Sequence, residues 1–130
     1  MDWFVSRGAL VCIPIAHSPD WDFIAELDSR LIRVQVKTST VFHNRRWVVT
    51  VCTRGGNRSW SGLVKRFDPD SSDILFAVVG DGRRWCIPSD VLVGRTSIAL
   101  GGPRYADYEV EPGRPLPTRT GSETPSTIAP

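Results

Sequence analysis

The chain has 130 residues, 41% of them apolar and 23% charged, with a formal net charge of +2, the balance of one globular domain with a single core. No run approaches the ~20 apolar residues of a membrane helix and no basic, apolar leader opens the sequence, so a cytoplasmic protein without a membrane partner is expected. All fourteen acids lie at or before Asp28 or at or after Asp68, and the stretch 29–67 holds nine basic residues. That segregation gives a nearly neutral protein a positive surface suited to a polyanion, or else a merely solvated face.

Met1 to Arg7 reads as the last turn or two of a helix that Gly8 ends in the left-handed region. Ala9 to Ile15 is a short, β-branched apolar run closed by Pro14, the first strand. His17 to Asp20 is a loop. Asp22 to Thr40 then reads as a β-hairpin turning at Asp28-Ser29. On its second arm Ile32, Val34 and Val36 alternate with Arg33, Gln35 and Lys37. Matching apolar faces sets Phe23 against Val34 and Ala25 against Ile32, because a slip of one residue turns every side chain over. The same register sets Asp22 against Gln35, and cross-strand partners sit about 5 Å apart. Asp22, Gln35 and Lys37 therefore converge on one patch.

A carboxylate, a carboxamide and an ammonium on one sheet face suit metal-assisted phosphodiester hydrolysis. Mg²⁺ takes hard oxygen ligands at about 2.1 Å and keeps several waters. Asp22 offers charge, and Gln35 or the Val36 carbonyl offers neutral ligation. Lys37 offers a donor for the attacking water or for charge on the transition state. The plain alternative is the polar alternation of any half-exposed strand. His17 lies near this patch in sequence, ready to touch phosphate or water, or only to satisfy its loop.

After a polar turn at 43–46, Trp47 to Thr53 is apolar on both sides and reads as a central strand pairing back on Leu31–Thr40. Residues 53–62 form a loop with Arg54, Arg58 and Trp60, either a groove-reading device or an aromatic folded onto the sheet edge. Leu63 to Asp73 reads as a short helix around Asp68-Pro69-Asp70. Ile74 to Val79 is a fully buried strand, Gly80-Asp81-Gly82 a hairpin turn, and Arg84 to Ile87 its antiparallel return. Ser89 is placed as the N-cap of a brief helix ending at Gly94, and Thr96 to Leu100 as an edge strand. From 111 to 130 the chain turns to Pro, Thr, Ser and Gly, a disordered tail after a domain at 1–110. Cys12, Cys52 and Cys86 read as buried thiols rather than a disulfide framework. With no Cys-x-x-Cys or paired His, a zinc site is not expected.

Ser-Pro-Asp-Trp-Asp-Phe-Ile at 18–24, the thirteen-residue spacing from Asp22 to Gln35, and Arg-Val-Gln-Val-Lys-Thr at 33–38 together resemble the PD-(D/E)xK nuclease superfamily. The likeness is greatest to its group I intron-associated homing endonuclease-like branch, in which Gln replaces the second acid. It extends through the Asp-Pro-Asp turn, the buried strand and the strand ending in Ile87-Pro88, over about residues 5 to 100. The resemblance implies an α+β, restriction-endonuclease-like core: a mixed or antiparallel sheet of about five strands with short flanking helices, the first helix shortened. It implies Asp22 as first-motif acid and Mg²⁺ (or Mn²⁺) ligand, Gln35 as second ligand and Lys37 as the group that positions the nucleophile. Asp20, directly after Pro19, competes for the acid's role; Asp22 is preferred because the pairing sets it opposite Gln35. Such nucleases carry a further acid on a helix before the first strand, where this chain has only Asp2. The partner implied is DNA, with Arg33, Arg45, Arg46, Arg54, Arg58, Lys65 and Arg66 on its backbone. Cutting both strands implies a homodimer or higher homo-oligomer. The rival expectation is a catalytically impaired nucleic-acid-binding module of the same fold; a protein-interaction domain leaves the charge segregation unexplained.

Overall fold

The computed structural model describes residues 1–15, 20–54 and 64–117, with backbone only at 53, 54, 64 and 65. In chain order the elements are helix α1 (Asp2–Ser6) and strands β1 (Leu10–Cys12), β2 (Phe23–Leu27), β3 (Arg30–Ser39), β4 (Phe42–His43), β5 (Arg46–Thr50), β6 (Thr53–Arg54), β7 (Val64–Lys65), β8 (Ile74–Val79), β9 (Arg84–Pro88), β10 (Ser97–Leu100) and β11 (Glu109–Val110). Two 3₁₀ turns, Ser89–Leu92 and Ala106–Tyr108, complete the list. The architecture is α+β, with much sheet and little helix. A mixed six-stranded sheet has the order β1-β2-β3-β8-β9-β11, beside a three-stranded sheet β10-β5-β4 and the pair β6-β7.

The hairpin forms in the register that its sequence dictates: Phe23 faces Val34 and Ala25 faces Ile32. Its two-residue turn puts Asp28 and Ser29 at φ +53° and +66°, the doubly left-handed geometry that matches strand twist. On its other side β3 runs parallel to β8, with Gln35 beside Leu75 and Lys37 beside Ala77. A parallel pair needs a crossover. Here the connection from β3 to β8 is β-rich, and its strand β5 joins β10 over one sheet face.

That topology corrects the placement of 47–53. The slot beside β3 belongs to β8, whose uninterrupted apolar run requires cover on both faces. Strand β5 is instead the middle strand of the small sheet, paired with β10 through Val49–Ile98 and with β4 through Trp47–Phe42. It touches β3 where the Ser39 hydroxyl donates to the Val48 carbonyl at 2.5 Å. The expected helix at 63–73 is also absent among its described residues. Asp68 accepts the Asp70 N–H at 2.9 Å and its carbonyl accepts the Ser71 N–H at 3.1 Å, a side-chain-held turn that competes with helix. Ser89 is not an N-cap: Pro88 holds that position, and the buried Ser89 hydroxyl faces that of Ser72 at 3.3 Å.

Two apolar clusters sandwich the large sheet. Phe4 of α1 packs with Phe23, Ala25, Val34 and Phe76 on one face. On the other, Val49, Val51, Ile98 and Leu100 of the small layer close over Leu75, Ala77, Val79, Trp85 and Ile87. The chain beyond 110 is not all tail. Gly113 N–H donates to Gly82 O at 2.8 Å, Leu116 N–H to Gly80 O at 3.1 Å, and Arg7 grips Glu111 through two 2.9 Å contacts. Backbone pairing and an ion pair order 111–117 despite their composition; 118–130 lie outside the described residues. The thiols depart from expectation too, since Cys12 is exposed and Cys52 and Cys86 are half-buried, all three free. Among the described residues no helix is long and apolar enough to cross a membrane.

Candidate active site

Strand β2 begins one residue after Asp22, and the first consequence is local. Asp22 N–H donates to Val34 O at 2.8 Å, and its Oδ2 accepts the Val36 N–H at 2.7 Å. The carboxylate therefore sits against β3 at the point where the β2 ladder opens, between the two residues that flank Gln35 in sequence. It remains exposed. Lys37 follows two residues along on the Gln35 face and is half-buried.

Gln35 is only 7% exposed, and its Oε1 has no hydrogen-bond partner among the described residues. A buried amide oxygen without a donor costs about 1–3 kcal/mol relative to a satisfied one. Strand alternation holds it in that position, because flipping it would expose Val34 and Val36. The Asp22 carboxylate, the Val36 carbonyl and the Gln35 amide oxygen, unpartnered among the described residues, are donors of the kind that a hard divalent cation takes. Among the described residues no three His, Cys, Asp or Glu side chains cluster; the patch has one acid and one amide.

Asp20 is exposed in the bend before β2, two residues from the ladder. Asp2 lies elsewhere. Its carboxylate faces Arg84 Nη1 at 3.3 and 3.4 Å, in a hollow lined by Val36, Phe76 and Val78. Those side chains belong to the α1 face of the sheet, opposite Gln35. His17 and Arg58 lie outside the described residues, as does Trp60, and for Arg54 and Lys65 only the strand backbone is described.

The expected basic contacts divide. Arg33 is engaged within the fold: Nε and Nη2 donate to Asp73 at 3.3 and 3.2 Å, and Nη1 to Asp70 O at 2.9 Å. Asp73 holds the Arg33 guanidinium above its usual pKa, and Arg33 draws the Asp73 carboxyl below the usual carboxylate range. Arg66 is exposed and donates to Gly94 O at 2.8 Å. Arg45 is exposed in the β4–β5 turn at φ +64°. Arg46 gathers with Arg95 and Arg104 around a hollow of about 440 Å³. Sequence reasoning missed Arg95 and Arg104, because both lie beyond the acid-free stretch and only the β5–β10 pairing brings them to Arg46.

Comparison with known proteins bears on this geometry. The family model described as PD-(D/E)XK endonuclease matches residues 2–100. The fold is similar to that of a bacterial homing endonuclease, I-Ssp6803I, with a TM-score of 0.67 at 22% identity over 83% of this chain and 79% of that one. A search of curated proteins finds no match.

Proposed function

The chain belongs to the PD-(D/E)XK endonuclease family, and on that premise we propose that it is a divalent-metal-dependent DNA endonuclease of the homing or intron-associated type working at the Asp22–Gln35–Lys37 patch. The observation that carries this reading is the buried Gln35 Oε1, without a hydrogen-bond partner among the described residues, on the same strand as Lys37, with Asp22 fastened to the backbone between them. Asp22 and Gln35 are the residues that would hold Mg²⁺ or Mn²⁺, with the Val36 carbonyl as a further oxygen. A bound ion supplies Lewis-acid polarisation of the phosphoryl oxygens and an acidified water.

The chain's own part is positional. Asp22, held by the Val36 N–H, presents a charge at a fixed distance from β3. The Lys37 ammonium, a donor only, hydrogen-bonds the attacking water oxygen and the phosphoryl oxygen on which charge builds. In the hydrolysis the water oxygen forms the new P–O bond, the P–O bond to the leaving sugar oxygen breaks, and a proton from water ends on that oxygen. Cutting both strands takes two such patches, hence a homodimer or a larger assembly.

The second reading, a catalytically impaired nucleic-acid-binding module, is favoured by one specific observation: among the described residues the patch has a single carboxylate, while Asp2 is paired with Arg84 on the opposite face of the sheet. Plasmid nicking decides between the two. With Mg²⁺ or Mn²⁺ present the wild type nicks supercoiled DNA; Lys37→Ala and Asp22→Ala each lower the rate by about a hundred- to a thousandfold and leave DNA affinity within a few-fold. Metal-independent binding without any cleavage selects the second reading.

A further inference from the structure

The outward side of the small sheet carries a feature that hydrolysis at Asp22, Gln35 and Lys37 leaves unused. Strand alternation sends Val49, Ile98 and Leu100 into the core and leaves Ser97 and Ala99 exposed on the opposite side. Arg46, Val48 and Ser97 line the open hollow of about 440 Å³ on that side, together with Arg95 and the turn Gly102–Tyr105, which bears Arg104. The small sheet therefore lies between this hollow and the large sheet. Three arginines line it, and among the described residues none of their guanidiniums meets a carboxylate within 4 Å. Like charges are not gathered in this way without cost.

One of the three is held in place. Arg46 Nη1 donates to Arg45 O at 3.1 Å, and its guanidinium fills the space over Gly102 that any Cβ there would occupy. A glycine at 102 thus makes room for the arginine head. Tyr105, 5% exposed, lines the hollow and carries Arg104 over its ring at 6.0 Å. Guanidinium forks suit a tetrahedral oxyanion, which accepts hydrogen bonds from several directions, and the Ser97 hydroxyl adds a donor. Ser97 and Ala99 leave the floor of the trough open to solvent.

We propose that this arginine trough binds a non-scissile backbone phosphate of the nucleic acid, separate from the phosphate cut at Asp22, Gln35 and Lys37. The proposal rests on the nuclease reading and names a second anchor for the same substrate.

The test uses the full chain and a fluorescent duplex in EDTA, so that binding is read without cleavage. Arg95→Gln/Arg104→Gln weakens binding about tenfold or more, as expected when charge-assisted hydrogen bonds are removed. It also reduces the slope of log Kd against log salt by about one for each phosphate that the arginines no longer neutralise. Gly102→Ala, which displaces the Arg46 head and leaves every charge in place, lowers affinity in the same direction. Circular dichroism and thermal melting verify the fold of each variant, and Arg95→Lys/Arg104→Lys recovers part of the salt slope. Unchanged affinity and slope in both variants overturn the trough, and if Lys37→Ala still abolishes wild-type nicking the nuclease reading survives alone. A wild type that neither binds nor cuts DNA removes both. Titration with a nucleoside monophosphate separates the sources of phosphate. Arginine Nε signals that respond to the mononucleotide but not to the duplex overturn the backbone assignment.

Discussion

The two faces of β3 answer different demands with alternate residues of one strand. Toward α1, Val34 is fully buried among the apolar side chains Phe4, Phe23, Ala25 and Phe76. Toward the small sheet, Gln35 is also buried, yet its amide oxygen has no hydrogen-bond partner among the described residues, and Lys37 follows it. Equal burial therefore means different things on the two sides. On the first it is stabilisation; on the second it is an unfavourable arrangement that the rest of the fold enforces. Local disagreement between residue and environment of this kind marks functional sites.

Truncation on the dry face gives the largest effect on stability. Phe23→Ala removes a 2% exposed ring that stacks edge-on against Phe4 at 5.5 Å, and unfolding free energy falls by about 3–5 kcal/mol in a denaturant titration. A loss below about 1 kcal/mol would mean that the α1 face is not a packed core. The opposite sign is expected across the strand. Gln35→Leu replaces an unsatisfied acceptor by carbon of similar size and, measured in EDTA, raises stability by about 1 kcal/mol. The same substitution abolishes the Mg²⁺-dependent rise in melting temperature that linkage demands of the wild type. If the wild type melts at the same temperature with and without Mg²⁺, the amide is an ordinary buried residue and the two faces do not differ in kind.

The contrast was partly legible beforehand, because period-two alternation fixes which residues share a face and which register the hairpin takes. Phe23 opposite Val34, the turn at Asp28-Ser29 and the buried run Ile74–Val79 follow from that pattern alone. The same pairing brought Asp22, Gln35 and Lys37 to one patch and the family resemblance supplied their roles; the Asp22 carboxylate lies on the N–H of Val36, the residue between Gln35 and Lys37. What alternation cannot say is which strand fills a given slot. Val48 and Cys52 made 47–53 look covered on both faces, but the parallel partner of β3 lies about 40 residues away in sequence, and nothing local encodes it. For the same reason Arg33, in the acid-free stretch, gave no sign that Asp73 would claim it, and Arg95 and Arg104 gave none that they would meet Arg46. The exposed Cys12 sits in an apolar run, and composition there did not reveal that β1 is an edge strand with Leu10 and Cys12 facing out.

The Arg33–Asp73 clamp gives the smallest effect and the one with a defined pH signature. It ties β3 to the start of β8: besides the two guanidinium contacts, Asp73 Oδ2 accepts the Arg33 N–H at 2.8 Å, and Asp73 N–H donates to Arg33 O at 2.9 Å. The Arg33 side chain, first by hydrogen bonding and then by charge, holds the Asp73 carboxyl below its ordinary value. A carboxylate with a depressed pKa in the folded state contributes stability that is fully present above the unfolded-state value of about 3.9. That contribution fades as pH falls through the folded-state value. Both partners are more than a third exposed, so solvent and salt screen the pair and the contribution is modest. Asp73→Asn should therefore be slightly less stable than wild type at pH 7, and the two should converge as the pH is lowered through the acid range. A stability difference that stays constant from neutral pH into the acid range would show that the substitution acts through packing or hydrogen-bond geometry rather than through the loss of the carboxylate's charge. High salt distinguishes the two cases again, because it narrows the neutral-pH gap only if charge is responsible.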